Sequence, residues 1–148
     1  MQQLNFPNYE FRFKNNKNKL FIFDSVRKKF IQLTPEEWVR QHIVRYLVED
    51  KKYPLSLINV EKAIKIGNLT KRYDVVVYNL DKSINLLIEC KAPEVEITQN
   101  TFDQIARYNL VLKAQYLILT NGINTYTCQI DFEKERYIFL KEIPSYNK

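Results

Sequence analysis

Asp74, Glu89 and Lys91 are the residues of this sequence whose types and spacing could do chemistry together. Leu86-Leu87-Ile88-Glu89-Cys90-Lys91 reads as a strand, in which side chains alternate between faces. Glu89 and Lys91 then share one face, and Ile88 and Cys90 the other. Tyr73-Asp74-Val75-Val76-Val77-Tyr78 reads as the strand before it. A hairpin symmetric about the Asp81–Lys82 bond sets Asn79 opposite Ile84, Tyr78 opposite Asn85, Asp74 opposite Glu89 and Arg72 opposite Lys91. Tyr73, Val75 and Val77 fall on the reverse face with Cys90, Ile88 and Leu86, an apolar set suited to a core. Carboxylates directly opposite each other, with Cβ atoms about 4.5–5.5 Å apart, destabilise a sheet unless something positive lies between them. A hard divalent cation fits there, since Mg²⁺ is held by one or two carboxylates, waters and phosphate oxygens. Lys91 on the same face could orient or help deprotonate an attacking water and offset phosphate charge. The expected chemistry is phosphodiester hydrolysis. The competing reading is a solvated sheet face with an ordinary Glu–Lys surface pair. The strongly apolar flanks argue against it, because charges embedded in such a run need a reason.

The elements around these residues follow from pattern. Residues 9–33 read as β structure, with turns at Asn15–Asn18 and Ser25–Lys29. Thr34 is a good N-cap, Pro35 suits the first helical position, and Glu36 and Glu37 suit the positive end of the helix dipole. Glu37 also completes a capping box with Thr34. That helix is expected to run to about Asp50 on a stripe of Val39, Ile43, Tyr46 and Leu47. Strands are expected at 57–66, 72–79 and 84–91, the last stopped by Ala92-Pro93. A helix over 98–113, a strand over 115–120, a turn at Asn121-Gly122 and strands at 124–130 and 135–142 complete the chain. The order β-β-α-β-β-β-α-β-β-β indicates an α/β sandwich on a mixed sheet. The 148 residues fit one domain, with 1–33 an N-terminal β extension, 34–125 the core and 126–148 the C-terminal strands.

Composition narrows the function. The chain has two glycines, Gly67 and Gly122, too few for a phosphate-cradling P-loop or a dinucleotide fingerprint, so no ATP site is expected. A net charge of +6 favours polyanionic partners. Cys90 and Cys128, with the single His42, cannot furnish a Cys/His zinc site and read as buried free thiols. His42 and Trp38 read as packing residues. No signal pattern opens the chain, and no apolar run approaches a membrane span. A soluble, cytoplasmic protein with no membrane partner is expected.

Asp74…Glu89-Cys90-Lys91 resembles the PD-(D/E)xK nuclease signature, with Tyr73 in place of the proline. Gln104-Ile105-Ala106-Arg107-Tyr108 resembles the QxxxY motif of one branch of that superfamily. Together with Thr34–Gln41, Arg72-Tyr73-Asp74, Ala92-Pro93 and Thr120-Asn121-Gly122, these segments are similar to the N-terminal nuclease domain of type I restriction enzyme R subunits. The resemblance runs from about residue 30 to 125. It implies a restriction-endonuclease-like core and a Mg²⁺-dependent endodeoxyribonuclease, with Mn²⁺ able to substitute, in a restriction or defence setting. Asp74 and Glu89 would ligate the metal, with the Cys90 carbonyl as a third ligand, and Lys91 would be the catalytic lysine. Gln104 and Tyr108, one helical turn apart, would face the site and contact DNA or buttress the lysine. Arg107 and Arg72 would join them on DNA. Glu36, or alternatively Glu37, would supply an acid from the first helix; helix capping is the other role open to both. Arg40 could pair with a site carboxylate. Type I R subunits carry an ATP-driven motor after this domain, and no motor motif follows here. Partner subunits are therefore expected to supply recognition or translocation. The strands before residue 30 could support a homodimer. The alternative function is a non-catalytic DNA- or protein-binding module on the same fold.

Overall fold

A computed structural model describes residues 1–147. Lys148, the expected C-terminal limit of the domain, lies outside the described residues. Three short strands come first: β1 (Phe13–Asn16), β2 (Lys19–Asp24) and β3 (Lys29–Gln32). They form a separate antiparallel sheet, where the expected order allowed only two strands before the first helix. The left-handed residues Lys17, Asn18 and Lys28 turn the chain between them.

Helix α1 (Pro35–Arg45) starts as its residues dictate. Thr34 is extended and its hydroxyl accepts from Glu37 N at 3.0 Å, with Pro35 in the first turn. The capping box is only half built. The Glu37 carboxylate turns to arginine partners instead, because a buried charge gains more from an ion pair than from one backbone amide. Beyond Arg45 the expected helix continues only as a wider π-type turn over Tyr46–Asp50.

Six strands make the main sheet: β4 (Ile58–Ile66), β5 (Leu69–Tyr78), β6 (Ile84–Cys90), β7 (Tyr116–Thr120), β8 (Thr125–Asp131) and β9 (Arg136–Leu140). They lie in that order, with only β6 and β7 parallel. Helix α2 (Gln99–Leu112) makes the crossover that a parallel pair requires. The α2 C-terminus closes through the left-handed Lys113, and the buried Asn109 side chain accepts from Ala114 N at 3.0 Å.

The sheet is covered on both faces, which explains the continuous apolar runs of β5 and β6. Val39, Ile43 and Leu47 from the α1 side pack with Val75, Val77, Leu86, Ile88 and Ile118. On the other face Phe102, Ile105 and Ala106 of α2 pack with Tyr73, Val76, Leu87, Leu117 and Leu119.

The register of β5 on β6 holds from Val75–Ile88 to Val77–Leu86 and departs from expectation at both ends. At the turn, Tyr78 pairs with Ile84, so Asn85 becomes the extra residue of a bulge. Asn79 N donating to Ser83 O, the left-handed Lys82 and the Asp81 carboxylate accepting from Ser83 N close this tighter loop. At the other end the two strands part after Val75–Ile88. There Glu61 on β4 takes a positive φ of 54°, breaking the pleat beside Asp74. As a result Tyr73 packs on the α2 side with Val76 and Leu87, and not with Val75 as strict alternation predicts.

Candidate active site at the fork between two strands

The parting of β5 and β6 is where the charged residues gather. Asp74 fills the gap. Its Oδ2 accepts from Cys90 N at 2.8 Å, so a side chain replaces the backbone rung that the diverging strand no longer supplies. Its Oδ1 accepts from Arg40 Nη2 at 2.7 Å. Asp74 and Glu89 are only 9% and 8% exposed, too little for either to be an ordinary surface carboxylate.

Glu89 has weaker support. Lys71 Nζ lies 3.8 Å from its Oε1, beyond hydrogen-bond reach. Burial, then the negative charge of Asp74, push its carboxyl up to about 7; Lys71 and Lys91 pull the other way. The expected rung of Asp74 opposite Glu89 is not formed: Asp74 bonds Arg40 on the α1 side and Glu89 lies by Lys71 on the α2 side, so the two acids meet through charge across the fork and not as a cross-strand pair. Glu36, half exposed at the start of α1, is also raised, first by burial and then by Asp74, with Arg40 and Lys91 opposing. Lys91, partly buried, acts on both Glu36 and Glu89, and its backbone N donates to Thr120 O of β7 at 2.8 Å. Asp74, Glu89, Lys91 and Glu36 thus share one electrostatic site.

Arg40 organises the α1 side of it. The guanidinium lies 2.6 Å from Glu37, 2.7 Å from Asp74, 2.9 Å from Glu61 and 3.7 Å from Glu36. A second layer holds Glu37. Arg27 bridges Glu37 at 3.0 Å and Asp24 at 2.7 Å, and Gln41 donates to both carboxylates. Asp24 also accepts from the backbone N–H groups of Val26 and Arg27. The N-terminal sheet is tied by this chain of charges to the fork. Of the two candidate helix acids, Glu37 is spent in the network, and Glu36 is left facing the site.

On the α2 side, Lys71 Nζ sits 4.9 Å from the centre of the Tyr73 ring and 5.3 Å from that of Tyr108. Tyr108 is thereby brought to Glu89 through Lys71. Gln104 and Arg107 are exposed on α2. Arg72 is exposed too, and reaches Glu61 at 3.4 Å rather than lying in a rung with Lys91. Lys71 and Glu61 escape sequence reasoning; the signal available for Lys71 was its place on the α2 face of β5, two residues before Tyr73. Cys90 and Cys128 are buried free thiols, and burial raises both well above the ordinary thiol range. Trp38 and His42 pack edge-to-face, with ring centres 4.3 Å apart.

A divalent ion can be tested against this donor set. Among the described residues no three His, Cys, Asp or Glu side chains are grouped to hold a metal. Two carboxylates suffice for Mg²⁺ when waters and phosphate oxygens complete the shell. Each carboxylate oxygen has more than one lone pair, so Asp74 can accept a further bond beside its two present ones. Glu89, buried with the Lys71 ammonium beyond hydrogen-bond range, keeps lone pairs free to accept a further partner. The donor set at the fork is two carboxylates and no richer. Among the described residues no helix is long and apolar enough to cross a membrane.

The mixed sheet, crossover helix and buried acid pair define an α/β domain with a charged site at the fork of a hairpin. Residues 35–144 match the family described as "Type I restriction enzyme R protein N terminus", and the chain belongs to that family. Among solved structures it is similar to a fragment assigned to an HsdR subunit of a type I restriction enzyme from Vibrio vulnificus YJ016. The TM-score is 0.53 at 16% identity, over 76% of this chain and 24% of that one, so the likeness is one of fold and spans about a quarter of the neighbour. No curated protein matches the chain.

Proposed function

We propose that this domain is a divalent-metal-dependent endodeoxyribonuclease of the PD-(D/E)xK type, built on a restriction-endonuclease-like core and serving a restriction system. The observation that carries the reading is the pair of buried carboxylates, Asp74 and Glu89, at the fork beside Lys91. Asp74, Glu89 and the Cys90 carbonyl would hold the ion, Mg²⁺ or Mn²⁺, with Glu36 as the helix acid nearest to them. When bound, such an ion polarises a phosphate oxygen and lowers the pKa of a water. The protein's own groups do the rest. Lys91 orients the attacking water and offsets charge developing on the phosphate. Arg40 and Cys90 N fix the Asp74 carboxylate in one orientation, so no reorganisation is needed when substrate arrives. Lys71 and Tyr108 border Glu89 on the α2 side, and Gln104, Arg107 and Arg72 are free to meet DNA. Other segments or partner subunits would supply sequence recognition and translocation.

A second reading rests on Arg40. Its bond to Asp74 Oδ1 already neutralises the carboxylate that a metal would need, as expected of a domain that binds DNA or protein without cutting. The two readings separate on supercoiled plasmid with Mg²⁺ or Mn²⁺. Wild type is expected to nick or linearise the plasmid, and Lys91→Ala to leave it intact. Equal behaviour of the two proteins would end the catalytic reading, and plasmid retardation without cutting would favour the binding module.

A further inference from the structure

The β4–β5 hairpin extends past the point where β6 leaves it. Beyond Asp74 the rungs continue from Lys62–Tyr73 through Ala63–Arg72, Ile64–Lys71 and Lys65–Thr70 to Ile66–Leu69, without a third strand. This is a two-stranded ribbon, roughly 13 Å from its first rung to its last at about 3.3 Å per residue. Lys62, Ala63, Lys65, Gly67, Asn68, Leu69, Thr70 and Arg72 are all exposed. On the α2 face only Ile64 and Lys71 lean on the body of the domain; the rest of the ribbon is open, and two-stranded ribbons are marginal alone. Residues 62–72 contain four cations, Lys62, Lys65, Lys71 and Arg72, and no acid. Side chains in register share a face. Lys62 and Lys71 therefore lie on the α2 face and Lys65 and Arg72 on the α1 face; Lys71 is turned to Glu89, so the exposed cations are Lys62 on one face and Lys65 and Arg72 on the other.

The geometry points to this ribbon as a duplex-DNA-binding finger that enters the major groove. A groove has a wall of phosphates on either side, and cations on both faces of a ribbon can meet both walls at once; a single strand offers one line of phosphates. The B-form major groove, about 12 Å wide, admits a two-stranded ribbon. The A-form major groove is too narrow for side chains to read, which selects DNA over duplex RNA. The base of the ribbon is the Glu61–Asp74 step, so a duplex held by it runs past Glu89 and Lys91. The inference rests on the proposed nuclease reading for that placement only.

The test uses the full chain, a labelled short DNA duplex of arbitrary sequence and a chelator, so that binding is read without cleavage. The triple variant Lys62→Gln, Lys65→Gln, Arg72→Gln is expected to bind about tenfold more weakly near 0.1 M salt. Its plot of log affinity against log salt should be shallower by about 2 to 3, at about 0.9 for each phosphate left unneutralised. A control triple, Lys19→Gln, Lys29→Gln, Lys134→Gln, removes equal charge from exposed positions elsewhere and should keep the wild-type slope. Lys65→Glu, a single exposed change, gives the same direction of loss should the triple variant melt early. Wild-type binding by the ribbon triple, equal losses in both triples, or equal affinity for an RNA duplex would each overturn the finger. Plasmid cutting in Mn²⁺ reports on the nuclease reading separately: a protein that binds through the ribbon and never cuts loses that reading and keeps this one.

Discussion

Glu89 carries the pH response of the site. Its carboxyl is raised to about 7 from an ordinary value of 4.5, by burial first and Asp74 second. A raised acid favours folding most below its unfolded pKa, and that advantage is lost as pH climbs from about 4.5 through about 7. Glu89→Gln removes the buried charge and is expected to stabilise the metal-free protein at pH 8 by roughly 1–3 kcal/mol, with little change at pH 4. Denaturant midpoints at the two pH values check this; equal effects at both would show that Glu89 is not charged against its surroundings. Were the proposed ion to bind, the same sign would make its binding release a proton near neutrality, which calorimetry in buffers of different ionisation enthalpy can read. Arg40 behaves oppositely. Replacing it with Met leaves Asp74 buried without an ion-pair partner and Glu37 with Arg27 alone, and a loss of roughly 3–5 kcal/mol is expected. A change below about 1 kcal/mol in urea unfolding would show that water solvates those carboxylates instead.

Among the elements, the sequence is most legible where local chemistry decides. Thr34-Pro35 opens α1, Ala92-Pro93 follows the end of β6, and the apolar pairing of Val75–Val77 with Leu86–Ile88 sets the central register. What escapes is set by residues far apart in sequence. The bulge at Tyr78 depends on a left-handed Lys82, a conformation with no strong residue signature in lysine. The turned Tyr73 depends on Glu61, in a neighbouring strand. The loop after β7 was legible in type: Asn121 Oδ1 accepts from Ile123 N and Asn124 N, and Gly122 has φ +86°. Its packing was not. A Cβ on Gly122 would stand 2.9 Å from Leu4 Cδ2 and 3.2 Å from Val39 Cγ2. Gly122→Ala combines that clash with a disfavoured φ and is expected to cost roughly 1–3 kcal/mol, seen as a lower melting temperature. An unchanged melting temperature would mean that the N-terminal segment yields freely.

For the molecule as a whole, the site was legible in its acids and its lysine and much less so in its supports. Asp74, Glu89 and Lys91 lie in apolar strands, where charges announce themselves. Asp24, Arg27, Glu37 and Gln41 come from polar segments that read as surface, yet together they anchor α1 to the N-terminal sheet. That sheet, which could also support a homodimer, braces Arg40 through two layers of ions. The +6 net charge takes a place in the fold once the β4–β5 ribbon is seen to gather four cations beside the acidic fork. On the proposed reading, attraction for polyanion and affinity for cation would be housed side by side.

The Asp74 carboxylate caps the amide of Cys90 as well as lining the fork. On the proposed nuclease reading, a relative that had given up hydrolysis would still need that cap to hold two diverging strands together, whereas the ammonium of Lys91 acts on its neighbours only through its charge on Glu36 and Glu89. Drift toward a silent descendant would then erase the amine first and spare the aspartate, and the lysine position would be the better marker for sorting cutting members of the family from silent ones.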